Sequence, residues 1–138
     1  MRKNIKNYTT RTDVNKTVQQ IEEMVVSKMK ARQFFKDYKD GKITGVVFII
    51  PTAAGDRAFK MPARVKAVEQ FVGNLEQAER TAWRNIHDWI DAQIALIETE
   101  QVKAEEVFLP YMADKDGQTL FELMEKSGME LPQLGSGQ

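Results

Sequence analysis

Residues 77–112 read QAERTAWRNIHDWIDAQIALIETEQVKAEEVFLPYM, an amphipathic helical stretch that carries both tryptophans and runs into a short aromatic segment. Ala78, Ala82, Ile86, Trp89, Gln93 and Ile97 recur at spacings of three and four, while Trp83, Ile90 and Ile94 widen the apolar stripe to one side. A face that wide is more than one small sheet covers. The chain must therefore lay other elements, a pocket or a partner chain against it.

Upstream, residues 7–13 (NYTTRTD) are short, threonine-rich and β-favouring, which predicts a first strand. Val14, Val18, Ile21, Val25 and Met29 then keep helical spacing, with Asp13 or Asn15 as N-cap, and this stripe is expected to face the sheet. Lys39-Asp40-Gly41-Lys42 lies between two β-favouring runs, and Asp-Gly is the pair a two-residue hairpin turn selects. Residues 46–50 (VVFII) are apolar at every position, which predicts a strand covered on both faces, and Pro51 ends it. After a turn at 52–56, Arg57, Phe59 and Met61 alternate with Ala58 and Lys60, so Arg57 shares a face with the two apolar residues until Pro62 stops the strand.

From Ala63 the pattern is helical, broken at Gly73-Asn74, where a glycine C-terminal cap and an Asn74/Gln77 N-cap pair predict two helices or one sharply bent one. The 107–111 segment packs back on the body, and Thr119 caps a short final helix through Leu120, Phe121 and Met124. The expectation is one α+β domain over residues 1–127, a small antiparallel sheet packed with long C-terminal helices, followed by a flexible tail at 128–138.

Composition narrows the function classes. Twenty basic residues balance twenty acidic ones, so no global field draws the chain to nucleic acid. The chain has no cysteine, which excludes disulfides, thiolate metal sites and thiol nucleophiles. It has one histidine, His87, and with Asp91 at i+4 that makes half a metal site at most. No run is apolar enough to span a bilayer and the start lacks a signal-type apolar region, so the cytosol is the expected compartment. No metal, cofactor or catalytic residue is assigned, and binding without turnover is the expectation.

Two basic groups remain, Lys28, Lys30, Arg32 and Lys36 at the end of the first helix, and Arg57, Lys60, Arg64 and Lys66 around the third hairpin strand. Brought together they would hold an anion. Gln93 interrupts the apolar seam, either as an amide bonded across a symmetric helix pair or as one that reads a base in a pocket. Trp83, beside the seam, is either packing or a platform for a purine.

The NYTT opening, the GDRAFKMPA strand, the AERTAWRNIHDWIDAQIALIE helix and the closing VFLPYM resemble a widespread family of small phage and prophage proteins, over residues 7–125. A narrower resemblance is to the Thoeris anti-defence sponge proteins of phages, which implies an oligomer built from dimers that sequesters a cyclic ADP-ribose signal in pockets at subunit boundaries. Carried onto this chain, it implies a phosphate contact for Arg57, a stacking role for Trp83 and a base-reading role for Gln93, with Lys28 replacing an arginine of the first helix. Two other functions fit the same residues: a single-stranded nucleic-acid accessory protein of phage replication, and an inhibitor of a host defence effector acting by protein contact.

Overall fold

The computed structural model describes residues 4–131. Helix α1 (Val14–Met29) starts at Asp13, whose carboxylate accepts the Asn15 N–H, and ends at Lys30 in the left-handed region. Thr17, Val18, Ile21, Val25 and Met29 are buried, in agreement with the predicted stripe. That stripe is shared rather than aimed at the sheet alone, because α1 runs mainly along helix α3 (Leu75–Glu98) and touches strand β1 (Gln33–Lys39) less.

Strands β1, β2 (Lys42–Thr52), β3 (Gly55–Pro62) and β4 (Met112–Ala113) form one antiparallel sheet in that order. Asp40 and Gly41 both have positive φ (52° and 76°) between the paired Lys39 and Lys42, so the Asp-Gly turn forms as expected. Register places Phe34, Phe48, Phe59 and Met112 in one row across all four strands, on the face turned to the helices. Phe108 stands edge-on to Phe48 with ring centroids 5.6 Å apart, and aromatic pairs of this kind add about 0.5–1.5 kcal/mol each beyond burial.

Helices α2 (Val65–Val72) and α3 are separate, as the Gly73-Asn74 break indicated. Gly73 caps α2 with φ 73°, and the Asn74 side chain accepts the Gln77 N–H to start α3. Helix α4 (Ala104–Val107), a 3-10 turn (Leu109–Tyr111) and β4 return the chain to the edge of β3. Thr119 caps helix α5 (Leu120–Lys126) in a reciprocal box, and its N–H, with other local partners, holds the Glu122 carboxyl below its ordinary value.

Three further expectations are corrected. Residues 7–13 form no strand. Asn7 has φ 64°, and the carbonyls of Asn7, Tyr8 and Thr10 accept from the Thr81 and Gln77 side chains of α3 instead of from a neighbouring strand. Strand β2 is covered on one face only. Val46, Phe48 and Ile50 are buried, whereas Val47 and Ile49 lie half-exposed on the outer face beside Phe35, which is 48% exposed.

The buried line of α3 runs through Ala78, Ala82, Trp83, Ile90 and Ile94, rotated from the predicted seam, which leaves Ile86, Trp89, Gln93 and Ile97 as a half-buried flank. The rotation follows from α1 packing on the Trp83 side. Of the alternatives that the wide stripe left open, packing by other elements holds: α1, α2, the sheet and the Phe108–Tyr111 aromatics lie against it within one chain. Of the expected tail, residues 132–138 lie outside the described residues.

Candidate functional site

The four residues singled out from sequence occupy different places. Trp83 is fully buried (0% exposed), so a ligand could stack on its ring only by displacing core neighbours. Lys28 is exposed and lies 3.6 Å from Glu98 across the C-terminal turns of α1 and α3. Arg57 is half-buried at the start of β3, where its Nη1 donates to the Asp56 carbonyl at 2.9 Å and it borders a shallow cleft with Met112, Leu120 and Leu123. Gln93 is half-buried, ten residues beyond Trp83 and about 15 Å further along the helix axis. Lys28 and Arg57 belong to the same end of the molecule, joined by the Arg32–Asp56 ion pair at 3.0 Å, while Trp83 lies toward the other end beside the β1–β2 turn. One chain therefore does not gather all four around a single cleft.

A different set converges. Between the end of β3, the start of α2 and the flank of α3 lies a cleft of about 350 Å³, floored by Met61, Val68 and Ile86, with Arg64, Asn85, Trp89 and Tyr111 around it. Its origin is local. Pro62 ends β3, Gly73 turns the chain back, and α2 packs antiparallel on α3 with Ala67 and Ala82 both facing the gap. Small side chains at those two positions leave room that larger ones would fill.

Trp89 is held by edge-to-face contacts, its ring centroid 5.4 Å from that of Phe108 and 5.9 Å from that of Tyr111. Its ring is thus fixed before any ligand arrives. Asn85 is fixed as well. The Asn7 Nδ2 donates to Asn85 Oδ1 at 2.9 Å, which takes up the acceptor end of the amide and leaves its NH2 to donate.

The same Asn7 amide donates to Asp88 Oδ2 at 2.9 Å, Lys6 reaches that carboxylate at 3.3 Å, and His87 Nδ1 lies 2.8 Å from Asp88 Oδ1. Burial pushes the Asp88 carboxyl up, but the bonds from Asn7 and His87 and the Lys6 ammonium outweigh it and hold it at about 2. Asp88 stays ionised and anchors the N-terminal segment to α3.

The polar lining of the cleft is therefore rich in donors: a guanidinium, an amide NH2, an indole N–H and a phenol. Among the described residues none bonds the side chains of Arg64, Trp89 or Tyr111. Such a lining suits a ligand with hydrogen-bond acceptors and a flat apolar body, and a phosphate would meet Arg64 in the bidentate geometry that guanidinium favours. Comparison with protein-family models, curated proteins and solved structures found no match.

Among the described residues no group of three or more His, Asp or Glu side chains could hold a metal ion, and no helix is long and apolar enough to cross a membrane. The sequence carried Arg64 only as part of a basic cluster. Nothing in the spacing joined it to Trp89 and Tyr111, because that contact depends on the corner at Gly73 and on the return of the 3-10 turn. Of the first expected basic group, Arg32 pairs at 3.0 Å with Asp56, the acid next to Arg57 of the second group.

Proposed function

We propose that this protein binds, without turning it over, an anionic ligand of the nucleotide class in the cleft between α2, α3 and Tyr111. The observation that carries the reading is the pairing of a fixed indole with donors from Arg64 and Asn85 in a cavity of about 350 Å³. The resemblance to phage anti-defence sponges makes a cyclic ADP-ribose isomer the first ligand to test, and a host bacterial cytosol and a homo-oligomer belong to the same proposal. Sequestration needs affinity alone.

The test is a thermal-shift panel of cyclic ADP-ribose isomers, ADP-ribose and AMP against the wild type and Arg64→Ala. A ligand present at about 100 times its Kd adds about 2.7 kcal/mol to stability, a rise of several degrees. Arg64→Ala is expected to retain the wild-type melting temperature without ligand and lose most of the rise. No shift with any nucleotide in the wild type would defeat the proposal.

A further inference from the structure

One edge of the cleft has its hydrogen-bonding polarity set by a residue that does not line it. Asn7 belongs to the N-terminal segment and holds the left-handed region at φ 64°, a conformation that asparagine adopts more readily than most residues. Its carbonyl accepts from Thr81 Oγ1 at 3.0 Å, which ties its backbone to α3. From there its side chain reaches both Asn85 and Asp88, each 2.9 Å from Nδ2.

The direction of these bonds follows from Asp88. An ionised carboxylate only accepts, so the end of the Asn7 amide turned to it is the NH2, whose two hydrogens serve Asp88 Oδ2 and Asn85 Oδ1. Turning the Asn7 amide over would set its carbonyl against a carboxylate, and turning Asn85 over would set NH2 against NH2. Lys6 at 3.3 Å and His87 at 2.8 Å hold the same carboxylate, so the origin of the chain is itself anchored. Asn85, which borders the cleft, is thereby held as a donor and cannot offer its carbonyl to a ligand.

Asn85 and Trp89 lie four apart on α3, a spacing that puts them on one face with Cβ atoms about 5–6 Å apart. A heterocycle stacked on Trp89 therefore turns an edge to Asn85, while Arg64 at the start of α2 is left for the phosphate. We infer that Asn7 is a positioning residue for base selection: it holds Asn85 as a donor, so the cleft prefers a nucleotide with a carbonyl at that edge, an oxopurine, over one with an amino group there. This rests on the proposed nucleotide site and narrows its ligand. An amino group would set donor against donor and leave both unbonded, a loss of about tenfold in affinity. An adenine nucleotide keeps the stacking and phosphate contacts, so it binds more weakly rather than not at all.

The test is isothermal titration calorimetry with IMP and AMP, which share everything but the N1–C6 edge of the purine, against wild type, Asn7→Ala and Asn85→Asp. Wild type is expected to bind IMP about tenfold more tightly than AMP. Asn7→Ala frees Asn85 to turn over and is expected to bring the two within about threefold, a ratio that a general loss of stability would not move. Asn85→Asp offers only acceptors and is expected to reverse the order, and it decides the matter if circular dichroism shows Asn7→Ala to be unfolded. Equal affinities in wild type overturn the inference while leaving the nucleotide site standing. A wild-type preference that folded Asn7→Ala retains, or that Asn85→Asp retains, overturns it as well. Binding of neither nucleotide defeats the proposed site and this inference with it.

Discussion

Asp88 offers the sharpest quantitative test of the packing between the N-terminal segment and α3. Its carboxyl is lowered from 3.8 to about 2, and at 1.36 kcal/mol per pKa unit that shift corresponds to about 2 kcal/mol. With 28% of the side chain exposed, solvent screening brings the contribution to about 1–2 kcal/mol. A depressed carboxyl stabilises the fold fully above its unfolded value and loses that contribution as pH falls through the folded one. The window here is therefore from just above 3.8 down through about 2.

Asp88→Asn removes the charge while keeping the shape. Urea unfolding of wild type and variant at several pH values is expected to show a difference of about 1–2 kcal/mol at pH 7 that shrinks below about 0.5 kcal/mol near pH 2. Comparing the two proteins cancels the other carboxylates, including the lowered Glu122. A difference that stays constant with pH would refute the claim that an ionised Asp88 clasps Lys6, Asn7 and His87.

Two further substitutions probe the frame. Thr17 is fully buried with no hydrogen-bond partner for its hydroxyl among the described residues, so Thr17→Val is expected to raise stability by about 1 kcal/mol, a few degrees in Tm by calorimetry. Gly73→Ala puts a Cβ into open space but at φ 73°, so urea denaturation is expected to show a loss of about 1 kcal/mol from backbone strain alone. A loss above about 3 kcal/mol would mean that the α2–α3 corner tolerates no adjustment.

Local signals in the sequence reported local structure well. The Asp13 cap, the Asp40-Gly41 turn, the Gly73-Asn74 break and the Thr119 cap are each set by residues within a few positions of one another, and each stands where the sequence placed it. What escaped depends on partners far along the chain. Residues 7–13 had strand composition, but Gln77 and Thr81, about seventy positions later, supply side-chain donors for their backbone. The two-residue strand β4 is too short to show a period of two. The centre of the α3 stripe is not legible from sequence, because periodicity gives a face and the neighbour packed on each flank decides which edge of it is deepest. For the same reason Trp83, whose type and spacing equal those of a stacking platform, lies in the core, while Trp89 six residues later borders the cleft.

That difference between the two tryptophans makes the binding account directly measurable. Intrinsic fluorescence is followed while a cyclic ADP-ribose isomer is titrated into wild type, Trp89→Phe and Trp83→Phe. The account predicts a saturable quench in wild type that Trp83→Phe keeps and Trp89→Phe loses. A response that follows Trp83, or no saturable response from any nucleotide, would contradict it.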